Sequence, residues 1–304
     1  MKRFLINFIL IIILKNFVYA QHVSLPQVNL GLTCILDGVA FPGLLFEQYV
    51  EYYESDRLND NDGDSIAGKN KLDSLGLVTH LAYITDYKIL GGYYGAEVVI
   101  PLVYLDIYQS SGPKGDEFGI GDITFTPLLI QWRDKLFNRD YFHRLAISGI
   151  FPSGDYDKNN NVNIGSHLYS FNPYYSFTYF ITPKLTISSR IHYLLNSKNT
   201  KPLNLYNAEN IKPGRAIHFN YSSTYEILKN FRVGISGYYL KQLSDSEIDG
   251  KNQNNSREEV FSFGPALYYI TKNNIQFHFN YFHEFVSKNR PKGDKFVFRI
   301  AKSF

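Results

Sequence analysis

The chain of 304 residues holds one cysteine and one tryptophan. Cys34 has no partner, so no intramolecular disulfide can form and an exported fold would have to stand without staples. Cys34 also lies too deep in the chain to be a lipid-modified first residue, which leaves a buried or luminal thiol as the plain reading. Beyond its first residues the chain lacks an apolar run long enough for a membrane helix. If it sits in a membrane, strands must carry it there, because only helices and closed barrels satisfy the backbone in lipid. There is no Gly-x-Ser-x-Gly elbow for a nucleophile. Gly119 and Gly121 lead into a β-branched run that ends at Pro127, not into a helix, so a phosphate cradle fails on context.

Excess charge is also missing. Met1-Lys2-Arg3, the apolar run from Phe4 to Leu14 and Val18-Tyr19-Ala20 read as a signal peptide over residues 1–20. Lys15 and Asn16 cut the run, which argues against a membrane anchor. Loss of Lys2, Arg3 and Lys15 would take the 31 basic residues to 28, equal to the 28 acidic ones. A near-neutral mature chain gives no reason to expect a nucleic-acid partner.

What the chain has is alternation. After an irregular lead-in over residues 21–43, broken by Pro26, Gly31, Gly38 and Pro42-Gly43 and open to placement in a lumen, the pattern becomes period two and stays so. In Ala216–Ile227 the odd positions Ile217, Phe219, Tyr221, Tyr225 and Ile227 are apolar, against His218, Asn220, Ser222, Thr224 and Glu226. Ile275–Phe285, Leu185–Asn196 and Phe171–Tyr179 repeat it. In Phe118–Leu129, Ile123, Phe125, Pro127 and Leu129 are expected on one face and Asp122, Thr124 and Thr126 on the other. Helical spacing fits none of these.

The connections form a second regularity. Thr85–Lys88, Asp134–Asp140, Thr182–Lys184, Leu228–Asn230 and Thr271–Asn274 are the shorter ones. Ser55–Lys71, Gln109–Asp116, Pro152–Ser166, Ser197–Arg215, Ser244–Glu259 and Ser287–Asp294 are long and polar, and the two kinds alternate. Tight periplasmic turns and larger outer loops do this in transmembrane barrels, whereas a soluble sandwich has no reason to. The expected fold is all-β, a transmembrane antiparallel β-barrel of about 12 strands over residues 44–304 in a bacterial outer membrane. The partners it implies are outer-membrane lipid and a small-molecule solute. About twelve strands should leave a narrow lumen.

Five stretches, in order, carry a resemblance. They are Lys88–Ala96 leading to Ile100-Pro101-Leu102, Gly119–Asp122, Phe151–Tyr156, Arg232–Tyr239 with Gln242, and Phe263-Gly264-Pro265 before Tyr268-Tyr269. Together they resemble the MetA-pathway phenol-degradation family. The resemblance implies an outer-membrane, transporter-like barrel, associated in some members with the breakdown of aromatic compounds. It supplies no catalytic residues and no cofactor. The end of the chain, Phe296–Phe304, resembles the closing-strand signal read by the barrel-assembly machinery, with Phe304 as the terminal aromatic and Lys302 as a departure.

The candidate site is a polar inner face: Asp122, Thr124, Arg190, His192, His218, Asn220, Glu226, Arg232, His278, Asn280 and Glu284. These would line a solute path, or simply form the solvated inner wall any such barrel shows. Arg190, Arg232, Glu226 and Glu284 are expected to pair across the lumen. His192, His218 and His278 share that face but lack the carboxylate or thiolate spacing that would define a metal centre. Asp60, Asp62 and Asp64 resemble a calcium loop in their oxygen spacing, with Ser65 and Lys71 where its glycine and bidentate Glu belong. The expected function is a channel for small, apolar or aromatic solutes; the alternatives are a structural or adhesion barrel and, less supported, an outer-membrane hydrolase.

Overall fold

A computed structural model describes residues 23–304; the signal-peptide expectation lies outside them. In chain order the strands are β1 (Gly43–Ser55), β2 (Asn70–Ile89), β3 (Gly92–Gln109), β4 (Lys114–Ile120), β5 (Thr124–Leu136), β6 (Arg139–Ile150), β7 (Ser170–Phe171), β8 (Tyr174–Phe180), β9 (Leu185–Asn196), β10 (Ile211–Lys212), β11 (Ala216–Leu228), β12 (Phe231–Gln242), β13 (Glu247–Ile248), β14 (Lys251–Asn252), β15 (Glu259–Ile270), β16 (Ile275–Lys288) and β17 (Asp294–Ser303). β10, β13 and β14 form a small sheet of their own in the loops.

The others make one antiparallel wall. β4 and β5 both pair with β3, and β7 and β8 both pair with β6 and β9, so each couple is one interrupted strand. That gives a closed barrel of 12 strands. β1 pairs with β17 from Leu45↔Ser303 to Glu54↔Asp294 and removes the last open edge, which lipid would not tolerate.

Alternation decides which face is wet. Phe277, Phe279, Tyr281 and Phe285 of β16 point out, and His278, Asn280 and Glu284 point in and are buried. Exposed aromatics gather at both rims: Tyr52, Tyr108, Phe118, Phe151, Tyr169 and Phe285 near the long loops, Tyr83, Tyr87, Phe137, Tyr225, Tyr269 and Phe304 near the turns. Such girdles flank the apolar band of an outer-membrane barrel.

The wall departs from simple alternation in several places. The strand expected through Phe118–Leu129 breaks at residues 121–123, and the register slips between Gly95 and Glu97 and between Phe125 and Leu128. One extra residue reverses the faces. Phe125 therefore stays outside while Leu129 is fully buried inside with Ile84, Ala146 and Tyr174. Residues 85–88 are not a turn but an irregularity in the β2–β3 register; the turn is Leu90-Gly91. The connection read at Asp134–Asp140 is the tight turn Phe137-Asn138, with β5 and β6 paired up to it. Both turns carry two successive residues at positive φ, Leu90 50°, Gly91 80°, Phe137 49° and Asn138 60°. This is the hairpin geometry that matches strand twist.

Residues 23–42 run down the interior from the loop end to the turn end. Ser246 Oγ donates to the Val23 carbonyl, and Leu25 N–H donates to Glu258, both at the loop end. Leu30, Cys34 and Ile35 pack on inward-facing Tyr49, Tyr238 and Phe282. Phe41 meets Phe142 ring to edge at 5.8 Å, and Gly43 then opens β1 at the turn end. No residue of 23–42 belongs to a strand; side chains of the wall hold the segment.

Candidate functional site in the barrel lumen

The contacts descend the segment in order. Asn220 Oδ1 accepts from Gly31 N at 2.8 Å, while its Nδ2 donates to Asn29 Oδ1 and Thr33 Oγ1. Lys295 Nζ donates to the Leu30 carbonyl and Ser222 Oγ to the Cys34 carbonyl. Below them Asp37 meets two arginines. Arg190 grips its carboxylate with Nε and Nη2 at 2.7 and 2.8 Å, and Arg144 Nη2 donates to its backbone carbonyl at 2.7 Å. Gly38 N donates to Thr178, and Gln131 donates to the Gly38 carbonyl.

A second polar chain crosses β17, β1, β2, β3, β5 and β8. Arg299 lies 3.3 Å from Glu47 Oε1; Glu47 Oε2 lies 2.6 Å from His80 Nδ1; His80 Nε2 lies 3.0 Å from Glu97 Oε2. Glu97 Oε1 accepts from Tyr174 OH at 2.7 Å and Thr126 Oγ1 at 3.2 Å. All are buried. Each charge has an opposite or hydrogen-bonding partner, as buried charges must. Sequence reasoning missed Asp37, Glu47, His80, Glu97, Arg144 and Arg299. Glu47, Tyr49, Glu51 and Tyr53 recur at period two in β1, a signal that could have found the first.

The expected polar face is present, but its members do separate jobs. Arg190 pairs with Asp37. Arg232 pairs with Glu226 at 3.2 Å within one hairpin, near the turn end. Glu284 accepts from Tyr53 and Tyr238, each at 2.9 Å, and from Gly293 N. Of the expected pairing among Arg190, Arg232, Glu226 and Glu284, the Arg232–Glu226 pair forms, but along the wall; Arg190 and Glu284 do not join it, and the segment's own Asp37 supplies the counter-charge of Arg190. His192 and His218 are register partners on β9 and β11, stacked with centroids 4.3 Å apart. His278 sits apart on β16, 2.6 Å from Arg299 Nη2. The three histidines do not converge.

Asp122 is corrected as well. It belongs to no strand, and its carboxylate accepts from Gly154 N, Ser166 N and Ser166 Oγ. Asp155 reciprocates by accepting from Ile120 N, and Ile123 N donates to Ser153 Oγ. Two of the stretches that carried the family resemblance thus clasp each other and fold the 151–169 loop over β3, where Val162 and Ile164 pack on Val103 and Leu105. Gly119 makes room for this clasp: a Cβ there would stand 2.1 Å from Asp155 Oδ2, and the Asp155 side chain would have to shift. Thr124 pairs in register with Val99 and Ile150 and is half-buried.

Asp60 Oδ1 accepts the N–H groups of Asp62, Gly63 and Asp64, which is how an Asx turn closes. Among the described residues no group of three or more His, Cys, Asp or Glu is placed to hold a metal, and Asp60, Asp62 and Asp64 form none. Phe304 is exposed at the turn end. Its N–H donates to the Leu44 carbonyl, and Lys302 Nζ lies 4.7 Å from its ring centre.

Residues 55–300 match the family described as "Putative MetA-pathway of phenol degradation". The chain belongs to this family. No curated protein sequence matches it. Among solved structures it is similar to an outer membrane channel from Pseudomonas putida F1, with 16% identity, a TM-score of 0.77, and coverage of 91% of this chain and 100% of that one. Looser likenesses are a TodX monoaromatic hydrocarbon channel mutant (8% identity, TM-score 0.46, covering 90% of this chain and 93% of that one) and a FadL homologue from Pseudomonas aeruginosa (9%, 0.41, covering 90% and 98%). These structural likenesses concern the fold. The chain is an outer-membrane β-barrel, and its neighbours are channels and porins.

Proposed function

We propose that the protein is a passive outer-membrane channel for small apolar or aromatic solutes, and not an enzyme. One observation carries this: the bore is filled by a segment that shares no ladder with the wall. Its fastenings are side-chain hydrogen bonds, the ion pairs of Asp37 with Arg190 and Arg144, and the packing of Leu30, Cys34 and Ile35 on the wall, and none of them is a ladder bond of the barrel. A barrel built only as a scaffold could fill its bore with fixed wall side chains, as small barrels do. The path would run along the wall behind the segment, past His192, His218, Asn220 and Arg190, with His278, Glu284 and Arg232 further round. The family description, a pathway of phenol degradation, agrees with a solute of this class.

A structural or adhesion barrel is the second reading, favoured by the full burial of Tyr238, Phe282 and Glu284. Uptake of a radiolabelled small aromatic, at low outside concentration, into cells with and without the protein separates the two. Faster uptake with the protein supports the channel; equal rates leave the adhesion reading.

A further inference from the structure

We propose that Arg144 and Arg190 form a carboxylate-binding subsite, that Asp37 occupies it as an internal stand-in, and that the solute it serves is a small aromatic carboxylate. This deepens the channel reading and rests on it for the word solute.

The cradle belongs to the wall. Arg144 on β6, Ser176 on β8 and Arg190 on β9 are register partners in one row. Departure of the luminal segment would leave them in place with their counter-charge gone. The two-pronged grip of Arg190 on Asp37 is the planar match between guanidinium and carboxylate. Its capacity is not used up. Arg144 Nε and Ser176 Oγ are buried without a hydrogen-bond partner, so the cradle holds a donor and a hydroxyl that Asp37 does not reach. Glu97, the nearby wall carboxylate, is already engaged by His80, Thr126 and Tyr174.

Next to the cradle lies an apolar floor. The Arg190 guanidinium stands 4.2 Å from the centre of the Tyr174 ring, which shares a buried cluster with Ile84, Leu129 and Ala146 of the wall. A hydrocarbon would leave both guanidiniums unpaired, a heavy cost at a buried site. An inorganic anion would leave the floor unused. A planar acid with an aromatic body answers both.

The reporter is built in. Cys34 is the chain's one cysteine, buried in the segment close ahead of Asp37. Maleimide labelling of Cys34 in the folded protein therefore reads undocking. Benzoate should speed labelling, whereas benzyl alcohol and inorganic phosphate at equal ionic strength should not. Asp37→Asn should speed it by about a hundredfold without any ligand, the scale expected when a buried pair loses one partner. Arg190→Gln should do the same and abolish the response to benzoate. No effect of benzoate on the natural chain overturns the proposal. An equal effect of phosphate shows mere screening, and an equal effect of benzyl alcohol shows no recognition of the carboxylate; either overturns it too. If a variant fails to fold, as read by heat-modifiability on gels, the three-ligand comparison on the natural chain decides alone. Labelling reads docking and not passage, so a benzoate response without faster uptake would defeat the channel reading and leave the subsite standing.

Discussion

Replacing Asn220 by Ala removes the most densely bonded anchor of the luminal segment. Asn220 makes three hydrogen bonds to residues 29–33, to Gly31 N, Asn29 Oδ1 and Thr33 Oγ1. At about 1 kcal/mol net for each, their loss weakens docking by about 3 kcal/mol, or roughly a hundredfold in the opening equilibrium. The Gly31 N–H, left buried without an acceptor, pushes the same way. None of the three is a ladder bond, so the β9–β11 and β11–β12 pairings survive. The assay is amide exchange across residues 28–36 of the folded protein, with heat-modifiability as the check on the barrel. Exchange should rise by about two orders of magnitude while the barrel stays intact. Unchanged exchange would refute the role given to Asn220. Loss of the barrel would show that the segment is part of what holds the wall together.

Three further outcomes follow from the same geometry. Phe298 faces lipid on the closing strand, so Phe298→Arg should cost about 2–4 kcal/mol if it lies near the midplane and lower the folded fraction in outer membranes; normal folding would place it nearer a rim. A cysteine put at Asn254, in the loop after β14, should label on intact cells, whereas one at Lys229, in the β11–β12 turn, should not; the reverse pattern inverts the orientation. Gly119→Ala should drive a methyl into Asp155 and loosen the 151–169 loop, read as faster proteolysis between residues 157 and 163; unchanged cleavage would mean the clasp is not what holds the loop.

The wall is legible because lipid outside and polar contacts inside impose period two on each strand. Leu185–Asn196, Ala216–Ile227 and Ile275–Phe285 show the faces their sequences predict. Where the period breaks, legibility ends. Leu129 looks like a lipid-facing residue two places after Pro127, yet the slipped register before Leu128 turns it inward. Leu90-Gly91 is hard to read as a turn because leucine rarely adopts the positive φ it needs.

The site is less legible for a different reason. Residue types name the polar inner face, but partnership inside a barrel depends on what else enters the bore. Nothing periodic marks Asp37, so the sequence offers Arg190 only partners on the wall. Asp122 has the parity of a luminal residue, but the strand breaks around it and the loop claims its carboxylate. His80 gains its meaning from Glu47 and Glu97, which only strand register brings beside it.

If a removable segment closes an otherwise open barrel, its removal must show in single-channel conductance. The full chain and a chain lacking residues 23–40 are reconstituted in planar bilayers after both are shown to be heat-modifiable. The full chain should show small or rare openings and the shortened one a large, steady conductance. Equal conductance from the two would contradict this, because the bore would then be set by the wall and not by the segment threaded through it.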